Sequence, residues 1–264
     1  MQAKLYVILG SHACRTGILM LDHKRIDHEL VELPTGLHPL LLRLHGFAGN
    51  PAPFRRLDDQ PHRMLGTLDR MGTVPALLLD GRRVKTNHAI ARFLDQVRPD
   101  PPLFPLDPER RREVEAAERW GDEVFQMAAR RLTLTSLLHG PDALVDRGGS
   151  GRLGPLLLRN QTLRRVGAAF IARFVFRADA RAESELLEAL PATLDRIDGW
   201  IESGVLNGPE LNAADFVIAP SLALLTYRRD LRPEIERRPA CRLIDRLLPE
   251  PAGSGAVTAG LGLA

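Results

Sequence analysis

The sequence predicts two domains of different class: an α/β N-terminal domain with a mixed four-stranded sheet and flanking helices, then an all-α helical bundle. Three observations predict it. Strand and helix signals alternate over residues 1–98. A proline-rich joint, Arg98 to Pro108, follows. Beyond it apolar residues recur almost wholly at helical spacing. A length of 264 residues suits two domains at roughly 100–200 residues each. The expected division is therefore 1–98, a linker over 99–107, a helical domain over 108–250 and a disordered tail from 251 to 264.

In the first domain, Lys4 to Leu9 is a short apolar run of strand formers stopped by Gly10-Ser11. Arg15 to Arg25 reads as a short amphipathic helix, with Ile18 and Leu19 opposite Leu21–Asp22. His28 to Leu33 reads as a second strand, ended by Pro34. Strand, helix and strand with short links form a βαβ unit, hence a parallel pair with a right-handed crossover. Residues 34–73 carry too many prolines for regular structure and read as loops and short helices, with His38 and His45 on the surface. Ala76 to Leu79 and Arg82 to Lys85 flank Asp80-Gly81, a hairpin signal because a type I′ turn needs positive φ at both central residues. Thr86-Asn87 offers an N-cap for a helix from His88 to Val97, with Ala89, Ile90, Phe93 and Leu94 on one face.

In the second domain, Asp107 and Pro108 suit the cap and first position of a long helix. Further helices are expected over 156–176, 183–203, 212–228 and about 233–248, with a glycine-rich break from Asp146 to Gly154.

Composition excludes several classes. Apolar residues at 44% and charged residues at 26% match a globular chain, not a collagen, a coiled coil or a disordered polymer. Positive charge is 33 Arg against 3 Lys, a bias that reads as genome composition. With 33 acids the net charge is only +3, so nucleic acid is not an expected partner. Arg110-Arg111-Arg112, interleaved with Glu109, Glu113 and Glu115, reads as an ion-paired helix face. Two cysteines, Cys14 and Cys241, make no disulfide framework. The N-terminus lacks the roughly 7–15-residue apolar core of a secretory signal, and no run reaches the roughly 18 apolar residues of a membrane span. A cytoplasmic location and no membrane partner are expected. No His or Cys spacing suggests a metal. Gly149 to Gly154 matches Gly-x-Gly-x-x-Gly but follows a helical region, so it reads as a loop.

Three constellations bear on function. Ser11-His12-Ala13-Cys14-Arg15 lies between a strand and a helix, where unpaired N–H groups and the helix dipole favour an anion. Ser11 could stabilise a bound thiolate, and a cysteine such as Cys14 placed there tends to a lowered pKa; the other reading is a capping Ser and a buried structural Cys. Thr73-Val74-Pro75 precedes a strand. Pro75 is either an ordinary trans residue or cis, a form that frees the preceding backbone for a peptide-like ligand. Leu211 to Phe216 reads as a capping box, Asn212 with Asp215, inside a hydrophobic staple of Leu211 and Phe216.

In this order these features resemble the glutathione S-transferase family, a thioredoxin-like domain followed by a helical domain. The resemblance covers about residues 4–98 and 108–250. Val74-Pro75 resembles the family's cis-proline pair, and Leu68 to Pro75 its approach, with departures at Asp69 and Arg70. Leu211 to Phe216 is similar to the box that opens the central helix of the second domain. Ser11 falls where many members carry the catalytic serine. Ser11 to Arg15 also looks like a glutaredoxin Cys-x-x-Cys-Arg with its first Cys replaced.

The resemblance implies an enzyme that binds glutathione, or another small thiol, and transfers it to an apolar electrophile lying near Trp120 to Ala128. It implies catalysis at Ser11, with Cys14 beside it, and thiol contacts from His12, Thr73, Val74, Pro75, Thr86 and Asn87. It also implies a homodimer. The family's Glu-Ser pair is replaced by Thr86-Asn87. These could bond a carboxylate, but the acid that would meet the γ-glutamyl amine is gone. Extra chain is expected from Phe47 to Asp59, near where the glycyl end would bind. Two alternatives stand beside the transferase: a silent module of the same fold, and thiol–disulfide exchange through Cys14.

Overall fold

A computed structural model describes residues 1–8, 10–49, 73–139, 151–153 and 178–250. The helix expected over 156–176, the tail after residue 250, the approach Leu68 to Gly72, most of the Phe47–Asp59 stretch and half of the Gly149–Gly154 stretch lie outside the described residues.

The N-terminal domain is a four-stranded mixed sheet in the order β2-β1-β3-β4, with β1 Ala3–Val7, β2 His28–Glu32, β3 Ala76–Leu79 and β4 Arg82–Lys85. β1 and β2 run parallel, with Tyr6 opposite Val31, as the βαβ reading requires. β3 is antiparallel to both neighbours, pairing Leu77 with Leu5 and with Val84. The hairpin turn has φ of 47° at Asp80 and 82° at Gly81, both in the left-handed region that this dipeptide tolerates. Leu5, Leu77 and Leu79 bury one sheet face together with Met20, Leu21, Ile90 and Leu94. On the other face Tyr6, Leu33, Leu42, Phe47 and Ala76 cluster, with the Tyr6 and Phe47 rings edge-to-face at 5.2 Å.

Helix α1, His12–His23, begins three residues earlier than Arg15, because the Ser11 hydroxyl caps it by accepting from the Cys14 N–H. Its buried face is also wider than expected: Cys14, Thr16, Gly17, Met20 and Leu21 are buried while Ile18 and Leu19 are half-buried. The reason is tertiary, since α1 packs on β1 and also on the second domain. Helix α2 is His38–Leu44, a short helix within the irregular stretch. His38 is half-buried there, and its Nδ1 is buried with no hydrogen-bond partner, which corrects the surface reading. Helix α3, Asn87–Val97, is capped by Thr86. Its buried face uses Ala91 in place of Ala89.

The second domain opens with α4, Pro108–Trp120, capped by Asp107, whose carboxylate accepts from Arg110 N at 2.8 Å. A π-helical turn, Gly121–Phe125, then leads without a break into α5, Gln126–His139. Helix α6 is Ala180–Glu202, and α7, Ala213–Leu225, is buried along its whole length. Around α7 pack α1, α4, α5 and α9, Ala240–Leu247. The capping box that opens α7 is present in both directions: Asn212 Oδ1 accepts from Ala214 N and Asp215 accepts from Asn212 N, each at 2.9 Å. The single helix expected over 233–248 is two, α8 at Arg232–Glu236 and α9, separated at Pro239, which lacks the N–H needed to continue α8.

Candidate functional site

The candidate site forms where the first two turns of α1 meet α3, the β3 entry and the start of the long helix. Ser11 is half-buried at the N-terminus of α1, its Oγ 3.4 Å from Cys14 N. Two elements border α1 beyond it, the β3 entry and the start of α3. Pro75 lies against α1: a Cβ placed on Gly17 would stand 3.4 Å from Pro75 Cβ. The Val74–Pro75 bond is cis. The β1–β3 ladder starts at Tyr6 opposite Ala76, so half-buried Val74 lies outside it, with Thr73 beside it. Asn87, at the first position of α3, donates from Nδ2 to Ala13 O at 3.1 Å.

Individual side chains differ from the expectation. His12 is buried, and its Nε2 lies 3.2 Å from the Gln126 carbonyl. Burial, and secondarily the Arg130 charge, push it down to about 3, so the ring is neutral and donates to that carbonyl. It ties the two domains rather than facing a ligand. Cys14 is only 2% exposed, with Sγ 3.5 Å from Ile8 N. Burial raises its thiol, outweighing the contacts with Ile8 and Ser11 and the Arg130 charge that pull it down. That environment is the opposite of a reactive cysteine's. Thr86 has φ of 70°, which a β-branched residue rarely adopts, and its Oγ1 is engaged in capping Ala89 N at 3.3 Å. Strain of this kind, about 1–3 kcal/mol, concentrates at functional sites. Asn87 is 3% exposed and turned inward, so its amide N–H serves Ala13 instead of an incoming carboxylate.

The helical domain contributes residues that sequence reasoning missed. Asp122, Gln126 and Arg130 follow at four-residue intervals across the π turn and α5. Gln126 Nε2 lies 3.4 Å from Asp122 Oδ1, and Arg130 Nη2 lies 3.5 Å from Gln126 Oε1. Burial pushes Asp122 up to about 6, helped by the neighbouring Glu118 charge, while His88 and Asn87 pull it down. Burial lowers Arg130 to about 10, against the opposing charges of Cys14 and Asp122. Along the Trp120–Ala128 stretch the Trp120 and Phe125 rings stack at 5.3 Å, Phe125 buried in the core, next to this polar ridge. A π turn inside a helix often marks a functional site, but no sequence signal announces one. Behind the ridge Glu118 is fully buried and takes His88 Nδ1 at 3.1 Å and the two Arg92 Nη groups at 3.2 and 3.3 Å.

Among the described residues no group of three His, Cys, Asp or Glu side chains could hold a metal ion, and no helix is long and apolar enough to cross a membrane.

No family model matches the chain, and no curated protein matches it. Solved structures do. A β-etherase, LigF of Sphingobium sp. strain SYK-6, is 18% identical with a TM-score of 0.60, over 95% of this chain and 96% of its own. A glutathione S-transferase of Rhodospirillum rubrum is 22% identical with a TM-score of 0.56, over 95% and 94%. A glutathione S-transferase of Methylobacterium radiotolerans, solved with glutathione sulfonate, is 19% identical with a TM-score of 0.53, over 94% and 90%. At these identities the likeness concerns architecture: a mixed four-stranded sheet with flanking helices followed by a helical region, which is the fold of the glutathione S-transferases.

Proposed function

We propose that the chain is a divergent glutathione S-transferase-like enzyme, which binds glutathione or another small thiol and transfers it to an electrophile. The observation that carries this reading is the placement of Ser11 at the start of α1, with Pro75 against Gly17 and the α3 N-terminus bonded to Ala13 of the same helix. There the unpaired backbone N–H groups and helix dipole favour a bound anion. The Ser11 hydroxyl donates a hydrogen bond to the thiolate and lowers its pKa, so more of it is ionised at neutral pH. Val74, outside the β-ladder, offers its backbone to the peptide part of the thiol. The electrophile lies against the π turn and the start of α5. A cytoplasmic homodimer is the assembly we assign by the same resemblance.

A steady-state conjugation assay tests the role of Ser11. Ser11→Ala should lower turnover by about a hundredfold, the effect of removing one donor from a developing or bound anion; unchanged turnover removes Ser11 from the mechanism. A thermal-shift panel of cellular thiols tests binding itself. A true ligand adds about 2.7 kcal/mol at a hundredfold excess over Kd. Silence across the panel favours the second reading, a module of this fold without catalysis, which the engaged Thr86 and Asn87 side chains support.

A further inference from the structure

Helix α2 carries leucines at Leu40, Leu41, Leu42 and Leu44 and a single charged residue, Arg43. Its inner side is accounted for: Pro39 and Leu42 are buried, and Leu41 packs against the Tyr6 cluster. Its outer side is not. Leu37, at the N-cap, Leu40 and Leu44 are 58%, 53% and 75% exposed. Their spacing of three and four residues puts them in one stripe. Among the described residues these are three of the six large apolar side chains left exposed. A helix that is apolar all round belongs in a core or in lipid, and α2 has a core on one side only. Positive charge flanks the stripe. Arg43 is exposed on the helix itself. On β4, Arg83 and Lys85 pair with Leu78 and Ala76, on the sheet face that α2 covers. Arg83 Nε donates to His45 O at 2.9 Å, and Lys85 Nζ donates to Ala48 O, which fixes both charges beyond the C-terminal end of α2. On the same sheet face Glu29 is paired with Lys4 at 2.9 Å.

We infer that the outer face of α2 is a docking surface for an anionic lipid bilayer. Leu37, Leu40 and Leu44 enter the interface, and Arg43, Arg83 and Lys85 meet the lipid phosphates. Two features favour a bilayer over a peptide. Leucines more than half exposed stand out from the surface instead of lining a groove. The charges beside them, on Arg43, Arg83 and Lys85, share one sign, and a bilayer of acidic lipids offers apolar depth under a negative surface. Attachment is peripheral, because no described helix is long and apolar enough to cross a membrane. The expectation of no membrane partner was drawn from whole-chain charge and long apolar runs, and neither registers which way a seven-residue helix faces. The inference is independent of the thiol-binding reading.

Co-sedimentation of the full chain with vesicles tests it. Vesicles of phosphatidylcholine mixed with phosphatidylglycerol should bind the protein, and vesicles of phosphatidylcholine alone should bind it about tenfold more weakly. High salt should weaken the binding to the mixed vesicles. Leu40→Ser combined with Leu44→Ser should lower that binding by about tenfold or more, since each leucine forfeits the burial of its side chain. Leu106 is 91% exposed on the linker, so Leu106→Ser should leave binding unchanged. No binding to the mixed vesicles overturns the inference, as does binding indifferent to lipid charge or an equal loss in Leu106→Ser. Self-association that the paired substitution abolishes, without vesicle binding, gives the stripe to a second copy of the chain and overturns it. A melting temperature that the pair lowers as much as the loss of core leucines would shows the stripe covered by the chain itself, and overturns it too. The comparison of lipid charges on the unsubstituted protein decides the matter even where the variants do not fold.

Discussion

Lys24, at the end of α1, is fully buried and ion-paired through Nζ with Asp95 of α3. The same ammonium donates to Arg98 O at 2.7 Å and Pro101 O at 2.6 Å, while Asp95 accepts from Leu103 N at 2.7 Å and Phe104 N at 3.3 Å. One buried pair therefore holds the joint between the domains from both sides. Removing one member of such a pair leaves an uncompensated charge, at about 3–5 kcal/mol. Lys24→Met should lose stability in that range in urea unfolding. A loss under about 1 kcal/mol, the size for an exposed pair, would show that the joint is held by other contacts.

Glu118 gives a pH prediction of defined sign. Burial alone would raise its carboxyl, but hydrogen bonds from His88 and Arg92 outweigh that and hold it below its usual value of 4.5. The native state therefore releases its proton more readily than the unfolded chain. Its contribution is present above pH about 4.5 and is lost as pH falls through the native value. Glu118→Gln should cost roughly 3 kcal/mol at pH 7, since the amide keeps one acceptor but leaves Arg92 without its charge. The gap from the unsubstituted protein should narrow below pH 4. Denaturation curves at the two pH values check this; a gap that stays constant would separate Glu118 from the pH dependence.

The contrast between these residues and the legible ones is one of range. Asp80-Gly81, Asp107-Pro108 and Asn212 with Asp215 work within a few residues of backbone, and the structure has each where its local chemistry requires it. Helix α1 starts ahead of its apolar periodicity because the Ser11 hydroxyl caps it at the Cys14 N–H, which brings His12 and Cys14 into the first turn. Lys24 reaches a partner 71 positions away and His12 one 114 positions away, and neither pairing leaves a mark on spacing. The ridge from Asp122 to Arg130 hides in a charged helix, and the π turn that aims it depends on packing against α7.

Gly121 opens that π turn at the closest approach of the long helix to α7. A Cβ there would stand 2.9 Å from both Val217 Cγ1 and Ile218 Cγ1, side chains of a wholly buried helix. Neither can withdraw without displacing the core. Gly121→Ala should therefore destabilise by about 1–3 kcal/mol despite the better helix propensity of alanine. Thermal unfolding measures it, and a stabilised variant would show that α7 can shift.

Cys14 and Cys241 should differ in their access to a reagent. Cys14 is buried with a raised thiol, while Cys241 is half-buried on α9, its thiol also raised by burial and by Asp245. A thiolate attacks only when it is formed and reachable. With iodoacetamide at pH 7 the native protein should therefore label at Cys241 first, with Cys14 reacting only as urea unfolds the chain. Peptide mass mapping over time reads the two sites separately. Native labelling of Cys14 as fast as a free thiol would return it to the chemistry and favour thiol–disulfide exchange over transfer through Ser11.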